Sequence, residues 1–312
     1  MSADTVIRTE GLVKAYGSGN RRVLALDGLD LEVQRGEVFG FLGPNGAGKS
    51  TTIRVLLDQL RPTAGMAEVF GRSPVDGGVG TRARIGYLPG ELAMGGRASA
   101  GELLHHLTAL RGGRGAERID DLAERLTLDL DRPIRGLSKG NKQKVGVIQA
   151  FLHRPELLIL DEPTSGLDPL LQHEFLAMVR EAQADGATVF MSSHVLSEVE
   201  SVAGRVAIVR AGRIVDLDEV ATLRHHAGQR IELRFDAPVE PAPFAALPGV
   251  SDVEVEDSTL RCLLRGEPDA LLKAAAGHHV TRWSATDREL EDLFLDHYRM
   301  PVTPEEVADD DR

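Results

Sequence analysis

The stretch VFGFLGPNGAGKST, residues 38–51, decides how the rest of this chain is read. Its first five residues are an unbroken apolar run of strand length. The nine after them, GPNGAGKST at 43–51, match G-x-x-x-x-G-K-[ST] in full and open a helix. Strand, glycine-rich loop and helix start in direct succession form a cradle for phosphate. Gly43, Gly46 and Gly48 leave room for backbone N–H groups to close around phosphate oxygens at the positive end of a helix, and Pro44, Asn45 and Ala47 complete the loop. Lys49 is placed to reach the outer phosphates as a point charge, Ser50 to offer its hydroxyl to Mg²⁺, and Thr51 to hydrogen-bond further phosphate oxygens.

A second apolar run, LLIL at 157–160, ends in Asp161 and Glu162. Ligands of parallel α/β sheets bind outside the carboxyl ends of the strands, so the pair stands where a bound triphosphate would be. Asp161 is placed to hold Mg²⁺ through its water shell and Glu162 to polarise an attacking water as general base. Alone, such a pair is an ordinary solvated turn; the phosphate loop upstream favours the catalytic reading.

Four shorter motifs each have a plain structural meaning. In LSKGN, 137–141, Ser138 is a good helix N-cap, and in SGLD, 165–168, Asp168 before Pro169 is a sound helix start. TVFMSSH, 188–194, is a strand delivering His194 to its end, and a single histidine is commonly a structural residue. Tyr16 in KAYG is an aromatic at a sheet face.

In this order, with LSKGN matching the signature loop LSGGQ at Leu, Ser and the second Gly, the motifs resemble the nucleotide-binding subunit of an ATP-binding-cassette (ABC) transporter. The resemblance implies an α/β fold: a P-loop cassette with a mainly parallel sheet, an antiparallel β subdomain and a helical subdomain. It implies ATP and Mg²⁺ as cofactors. It also implies a head-to-tail homodimer in which the loop of Ser138, Lys139, Gly140 and Asn141 of one copy closes over the γ-phosphate held by the other. Asp168 then lines the dimer interface, His194 contacts the γ-phosphate and the attacking water, and Tyr16 stacks on adenine.

One departure stands out. Where the family usually carries Gln after the strand at 85–89, this chain reads YLPGE and has Gly90. The neighbouring Glu91 is expected to supply the missing oxygen ligand, because hard Mg²⁺ accepts carboxylate as readily as amide oxygen.

Composition narrows the field. The chain has 312 residues, enough for one domain of ordinary size and a smaller one. A formal net charge of −12 without a concentrated basic stripe disfavours nucleic acid as a partner. The single Cys262 precludes internal disulfides and fits a reducing compartment. No apolar segment approaches the ~20 residues of a membrane span, and MSADTVIRTE lacks a secretory core.

Alternating stretches between about 5 and 38, among them LDLEV, suggest an antiparallel sheet beside the phosphate loop. Leucines at helical spacing in ELLHHLTALRG and DDLAERLTLDL, interrupted by GGRGAER, suggest a helical subdomain at about 90–152. The cassette is expected over 5–222, a linker over 223–229, a small α+β accessory domain over 230–300, and an acidic disordered tail over 301–312. In the accessory domain IELRF, DVEVE, TLRCLLR and VTRWSAT read as strands and PDALLKAAAGHH as a helix, while Thr286 to Glu289 is a capping-box pattern. The pairs His225–His226 and His278–His279 read as solvated surface residues.

The ending RELEDLFLDHYR, with the SKGNKQK and LPGE variants, is similar to the daunorubicin-resistance type of exporter ATPase. The expected function is therefore an ATPase subunit at the cytoplasmic face of the plasma membrane, driving efflux of a drug, antibiotic or lipid through a separate polytopic permease. A nucleotide-gated regulatory module or a non-transport ABC ATPase is the alternative; Glu162 and His194 argue against the first, though Gly90 leaves it some room, and a single cassette without a long coiled-coil insertion argues against the second.

Overall fold

The computed structural model describes residues 4–17 and 22–287, the side chains of 225–227 and 287 excepted. The chain divides into two compact units, Met1–Asp218 and Glu219–Arg312.

The first unit runs β1 (Thr5–Tyr16), β2 (Val23–Gln34), β3 (Val38–Leu42), α1 (Lys49–Leu56), β4 (Ala64–Val69), α2 (Pro74–Arg82), β5 (Ile85–Leu88), α3 (Ala100–Leu110), α4 (Ile119–Arg125), α5 (Lys139–Phe151), β6 (Leu157–Asp161), α6 (Pro169–Ala184), β7 (Thr188–Ser193), α7 (Leu196–Glu200), β8 (Arg205–Arg210) and β9 (Arg213–Glu219). A six-stranded sheet has the order β5-β6-β7-β3-β8-β9, with β5, β6, β7, β3 and β8 paired in parallel. The apolar runs predicted to be buried strands are its centre: every residue of β3, β6 and β7 is buried. Phe39 and Phe190 are in register on β3 and β7 with stacked rings 6.0 Å apart, and Phe41 lies 5.1 Å from Phe190. Burying each such ring contributes roughly 1.5–3 kcal/mol.

A separate three-stranded antiparallel sheet, β2-β1-β4, uses the alternating stretch as expected. Its third strand, β4, lies beyond α1, outside the 5–38 span. GMAEVF has no marked alternation, and only its pairing with β1, Ile7 opposite Val69, reveals it.

In the 90–152 stretch, helix begins only at Ala100, where Ser99 and Glu102 form a capping box. GGRGAER separates α3 from α4 and holds one 3-10 turn, Ala116–Arg118. Three side chains hold this stretch together and to the rest of the unit. Arg118 Nη1 donates to the carbonyls of Phe151 and Leu152 at the end of α5. Arg125 of α4 pairs with Glu174 and Glu181 of α6. His153 lies 3.2 Å from the Ile85 carbonyl through Nε2 and 2.6 Å from Arg111 Nη1 through Nδ1.

The second unit begins at Glu219, ahead of the expected linker. Residues 223–229 are instead mostly the second half of α8 (Val220–Ala227), with β10 (Gln229–Phe235) starting directly after Gly228. Its buried Val220 and Leu223 make helix favourable, and a His-His-Ala-Gly composition does not show that burial. Then come α9 (Ala242–Ala245), β11 (Val250–Glu256), β12 (Thr259–Leu264), α10 (Asp269–Ala275) and β13 (Val280–Asp287). The βαββαβ order, with strands arranged β11-β12-β10-β13 and antiparallel throughout, is a ferredoxin-like topology. Its core holds Ile231, Leu233, Phe235, Phe244, Leu260 and Leu271. Cys262 is buried among them, and burial pushes its thiol up to about 11. The capping box at 286–289, the leucine face beyond it and the 301–312 tail fall wholly or partly outside the described residues.

Candidate active site

The phosphate loop is shaped by what crowds its glycines. Gly48 has φ +111°, a region that side chains rarely enter, and a Cβ there would lie 2.6 Å from the Ala25 carbonyl. A Cβ on Gly43 would lie 2.5 Å from the Val209 carbonyl. The turn between β8 and β9 backs the loop, with the Gly212 amide donating to the Ala47 carbonyl at 2.9 Å. Lys49 is 5% exposed, and its Nζ donates to the carbonyls of Gly43 at 2.5 Å and Pro44 at 3.2 Å. Ser50 and Thr51 lie next in the first turn of α1, both partly buried.

Glu162 gathers the other members of the site. Its Oε1 lies 3.0 Å from Lys49 Nζ and its Oε2 lies 2.5 Å from His194 Nδ1. An ionised carboxylate only accepts, so His194 carries its proton on Nδ1 and leaves Nε2 available to a second partner. The Glu162 backbone has φ +48°, a conformation that costs a non-glycine residue of order 1–3 kcal/mol and clusters at functional sites. It is held there by the Glu162 amide, which donates to the Ser192 carbonyl at 3.1 Å.

Asp161, buried at the end of β6, accepts a 2.5 Å hydrogen bond from Ser192 Oγ on its Oδ1. Gly90 packs on its other side: a Cβ at position 90 would lie 3.3 Å from the Asp161 carbonyl and 3.5 Å from Oδ2. Glu91 is exposed. The donor set, a carboxylate at Asp161 and a hydroxyl at Ser50, suits Mg²⁺, which keeps several waters and shares its remaining positions with phosphates. No cluster of three metal-ligating His, Cys, Asp or Glu side chains occurs among the described residues.

The signature-like loop packs against the segment just beyond Glu162. Ser138 caps α5 by accepting from the Asn141 amide at 3.2 Å. Lys139 Nζ reaches Ser165 Oγ at 3.4 Å, and a Cβ on Gly140 would lie 2.7 Å from the Gly166 carbonyl. Asp168 caps α6, accepting from the Leu171 amide at 3.0 Å. Tyr16, at the end of β1, is 40% exposed, with Lys14 Nζ 5.5 Å from its ring centroid.

Three further residues join this group with no sequence signal to announce them. Ser192 holds Asp161 through its hydroxyl. Gln143, 2% exposed, donates from Nε2 to the Pro163 carbonyl at 2.8 Å and ties α5 to the residue after Glu162. Glu198 accepts on one oxygen, Oε2, from Thr164 Oγ1 at 2.6 Å and from Ser193 Oγ at 3.3 Å. Ser192 and Gln143 fall inside TVFMSSH and SKGNKQK without being the residues those stretches single out, and Glu198 lies beyond His194 on α7.

The chain matches the family model for ABC transporters over residues 26–165. It is 37% identical over 320 residues to the daunorubicin resistance ATP-binding protein DrrA3 of Streptomyces coeruleorubidus, covering 99% of this chain and 98% of that one. It is 33% identical over 299 residues to a fluoroquinolones export ATP-binding protein of Mycobacterium tuberculosis, covering 93% and 92%. Among solved structures, an ATP-binding subunit of an ABC transporter superposes with a TM-score of 0.63 at 30% identity, covering 70% of this chain and 92% of that one. Phosphate loop, acidic pair and full-length likeness together place the chain among the ATP-hydrolysing, ATP-binding subunits of ABC transporters, the family to which it belongs.

Proposed function

We propose that this ATPase drives export of a drug, antibiotic or lipid through a separate membrane permease, from the cytoplasmic face of the membrane. Two copies work head to tail. The relatives' drug-resistance and export names support the direction and cargo class. No helix among the described residues is long and apolar enough to cross a membrane, which supports a separate permease.

The observation that carries the catalytic reading is the Glu162 carboxylate held between Lys49 and His194. In this reading phosphate oxygens take over Lys49, and Glu162 turns to the attacking water as general base. His194 Nε2 meets the γ-phosphate. Asp161 and Ser50 hold Mg²⁺, whose charge offsets that developing on the phosphates. Backbone amides of the loop from Asn45 to Thr51 grip the triphosphate and Tyr16 stacks on adenine. The loop of Ser138, Lys139, Gly140 and Asn141 closes over the nucleotide of the other copy, with Asp168 at the interface. Glu91 contributes a further oxygen toward Mg²⁺.

Glu162→Gln tests this. A general base contributes about 10²–10⁴-fold, so turnover should fall by that factor while ATP binding persists and a dimer accumulates on size exclusion in MgATP. Normal turnover, or a strictly monomeric variant, would refute the reading.

A further inference from the structure

We propose that Glu198 is a positioning residue for ATP hydrolysis, using one carboxylate oxygen to tie Thr164 to Ser193 and thereby fix how Glu162 and His194 face each other. The inference rests on the reading that Glu162 and His194 act together on the attacking water.

Thr164 stands two residues after Glu162, and Ser193 immediately precedes His194. The two residues are almost fully buried, at 5% and 1% exposure, and both hydroxyls donate to Glu198 Oε2, at 2.6 and 3.3 Å. Ser193 Oγ in turn accepts from the Val195 amide at 2.9 Å, on the far side of His194. Its proton is therefore committed to Glu198 and its lone pair to the His194 segment, so the histidine is bracketed by hydrogen bonds. Charge-assisted bonds of this kind are about twice as strong as neutral ones.

Glu198 itself is anchored. It lies on α7, whose next residue, Val199, fills the notch left by Gly40 in β3: a Cβ on Gly40 would come within 2.2 Å of Val199 Cγ1. Strand β3 leads directly into the phosphate loop. One rigid path thus runs from the strand that carries the phosphates, through Val199 and Glu198, to the segments holding both Glu162 and His194. Gln143 of α5 also holds Pro163. Two consecutive residues after Glu162 are thus tied by buried hydrogen bonds, and a residue with φ +48° needs such surroundings to stay in place.

The test is steady-state ATPase of the full chain for the parent, Glu198→Ala, Glu198→Gln, Thr164→Val and the Glu198→Ala/Thr164→Val double variant, with affinity for a fluorescent ATP analogue and thermal melting alongside. A misplacement of about 1 Å costs about 10²-fold, so Glu198→Ala should lower kcat by roughly 10- to 100-fold while KM and analogue affinity stay within about threefold. Glu198→Gln keeps an acceptor oxygen at the same reach and should recover most of the loss. Thr164→Val, which removes the bond from the other end, should mimic Glu198→Ala, and the double variant should be no slower than Glu198→Ala alone. An Ala variant at parental kcat would overturn the proposal, as would a Gln variant as slow as Ala, or losses in kcat that add in the double variant. Glu162→Gln run in parallel separates the two failures: if it turns over normally the site reading itself is wrong, and if it is dead while Glu198→Ala is unaffected only the positioning role is lost.

Discussion

The Lys49 ammonium and the Glu162 carboxylate lie 3.0 Å apart, the lysine 5% exposed and the glutamate 19%, although 113 residues of chain separate them. The proposed phosphate-binding cation and the proposed base are therefore partners in one ion pair. Removing one leaves the other largely shielded from water and short of its counter-charge, which is costlier than losing an exposed pair.

Lys49→Ala should consequently act on the fold as well as on catalysis. Leaving a buried polar group without its partner costs about 1–3 kcal/mol, a cost moderated here because His194 still binds Oε2. Urea unfolding without nucleotide should show that loss. Glu162→Gln keeps one acceptor oxygen, for Lys49, and turns an amide N–H toward His194 Nδ1, which can accept it in the other tautomer, so it should lose less stability than Lys49→Ala. Equal midpoints for Lys49→Ala and parent would mean that the pair contributes nothing to stability.

Gly90 sets the space beside Asp161. A methyl group at 90 would stand 3.3 Å from the Asp161 carbonyl, so Gly90→Ala must move one or the other by a few tenths of an ångström. The Mg²⁺ concentration for half-maximal ATPase should rise, by about 10-fold if the shift costs about 1.4 kcal/mol of metal binding. Glu91→Ala should raise it as well if the exposed carboxylate turns in to the cation; an unchanged Mg²⁺ titration would remove Glu91 from the site.

His153 makes stability depend on pH in a defined direction. Burial, chiefly, and the neighbouring Arg111 lower its pKa from 6.5 to about 4. The unfolded chain therefore takes up a proton near pH 6.5 that the folded chain refuses until about pH 4. Above pH 6.5 both states are neutral there and the residue adds no pH dependence; as pH falls from 6.5 toward 4, stability is progressively lost. The urea midpoint should fall between about pH 7 and about pH 4.5, and His153→Gln should flatten part of that slope. Protonation sets a positive ring against Arg111 while favouring the bond to the Ile85 carbonyl, so amide hydrogen exchange at low pH should quicken around Arg111 rather than around Ile85.

Local patterns carried far in this chain. A continuous apolar run of five residues at 38–42, leading straight into the phosphate loop, reads as a strand buried on both faces, and G-x-x-x-x-G-K-S states a backbone geometry as well as a chemistry. Hence the phosphate loop, the acidic pair and the strands β3, β5, β6 and β7 of the first unit were legible, and so were the strands of the second. Both depend on neighbours close along the chain. The reading failed where the deciding contact was distant. Strand β4 needed β1, and the helix across 223–227 needed the buried places of Val220 and Leu223.

What residue types and spacing settled by themselves was the family and its chemistry, because gripping a triphosphate demands particular backbones and charges in a short span. Tertiary structure alone decided which side chains hold that chemistry in register. Ser192 on Asp161, Gln143 on Pro163, and Glu198 on Thr164 are contacts across 20 to 34 residues. A hydrogen bond is a statement about distance and angle in space, and no one-dimensional pattern carries it until the sheet has folded.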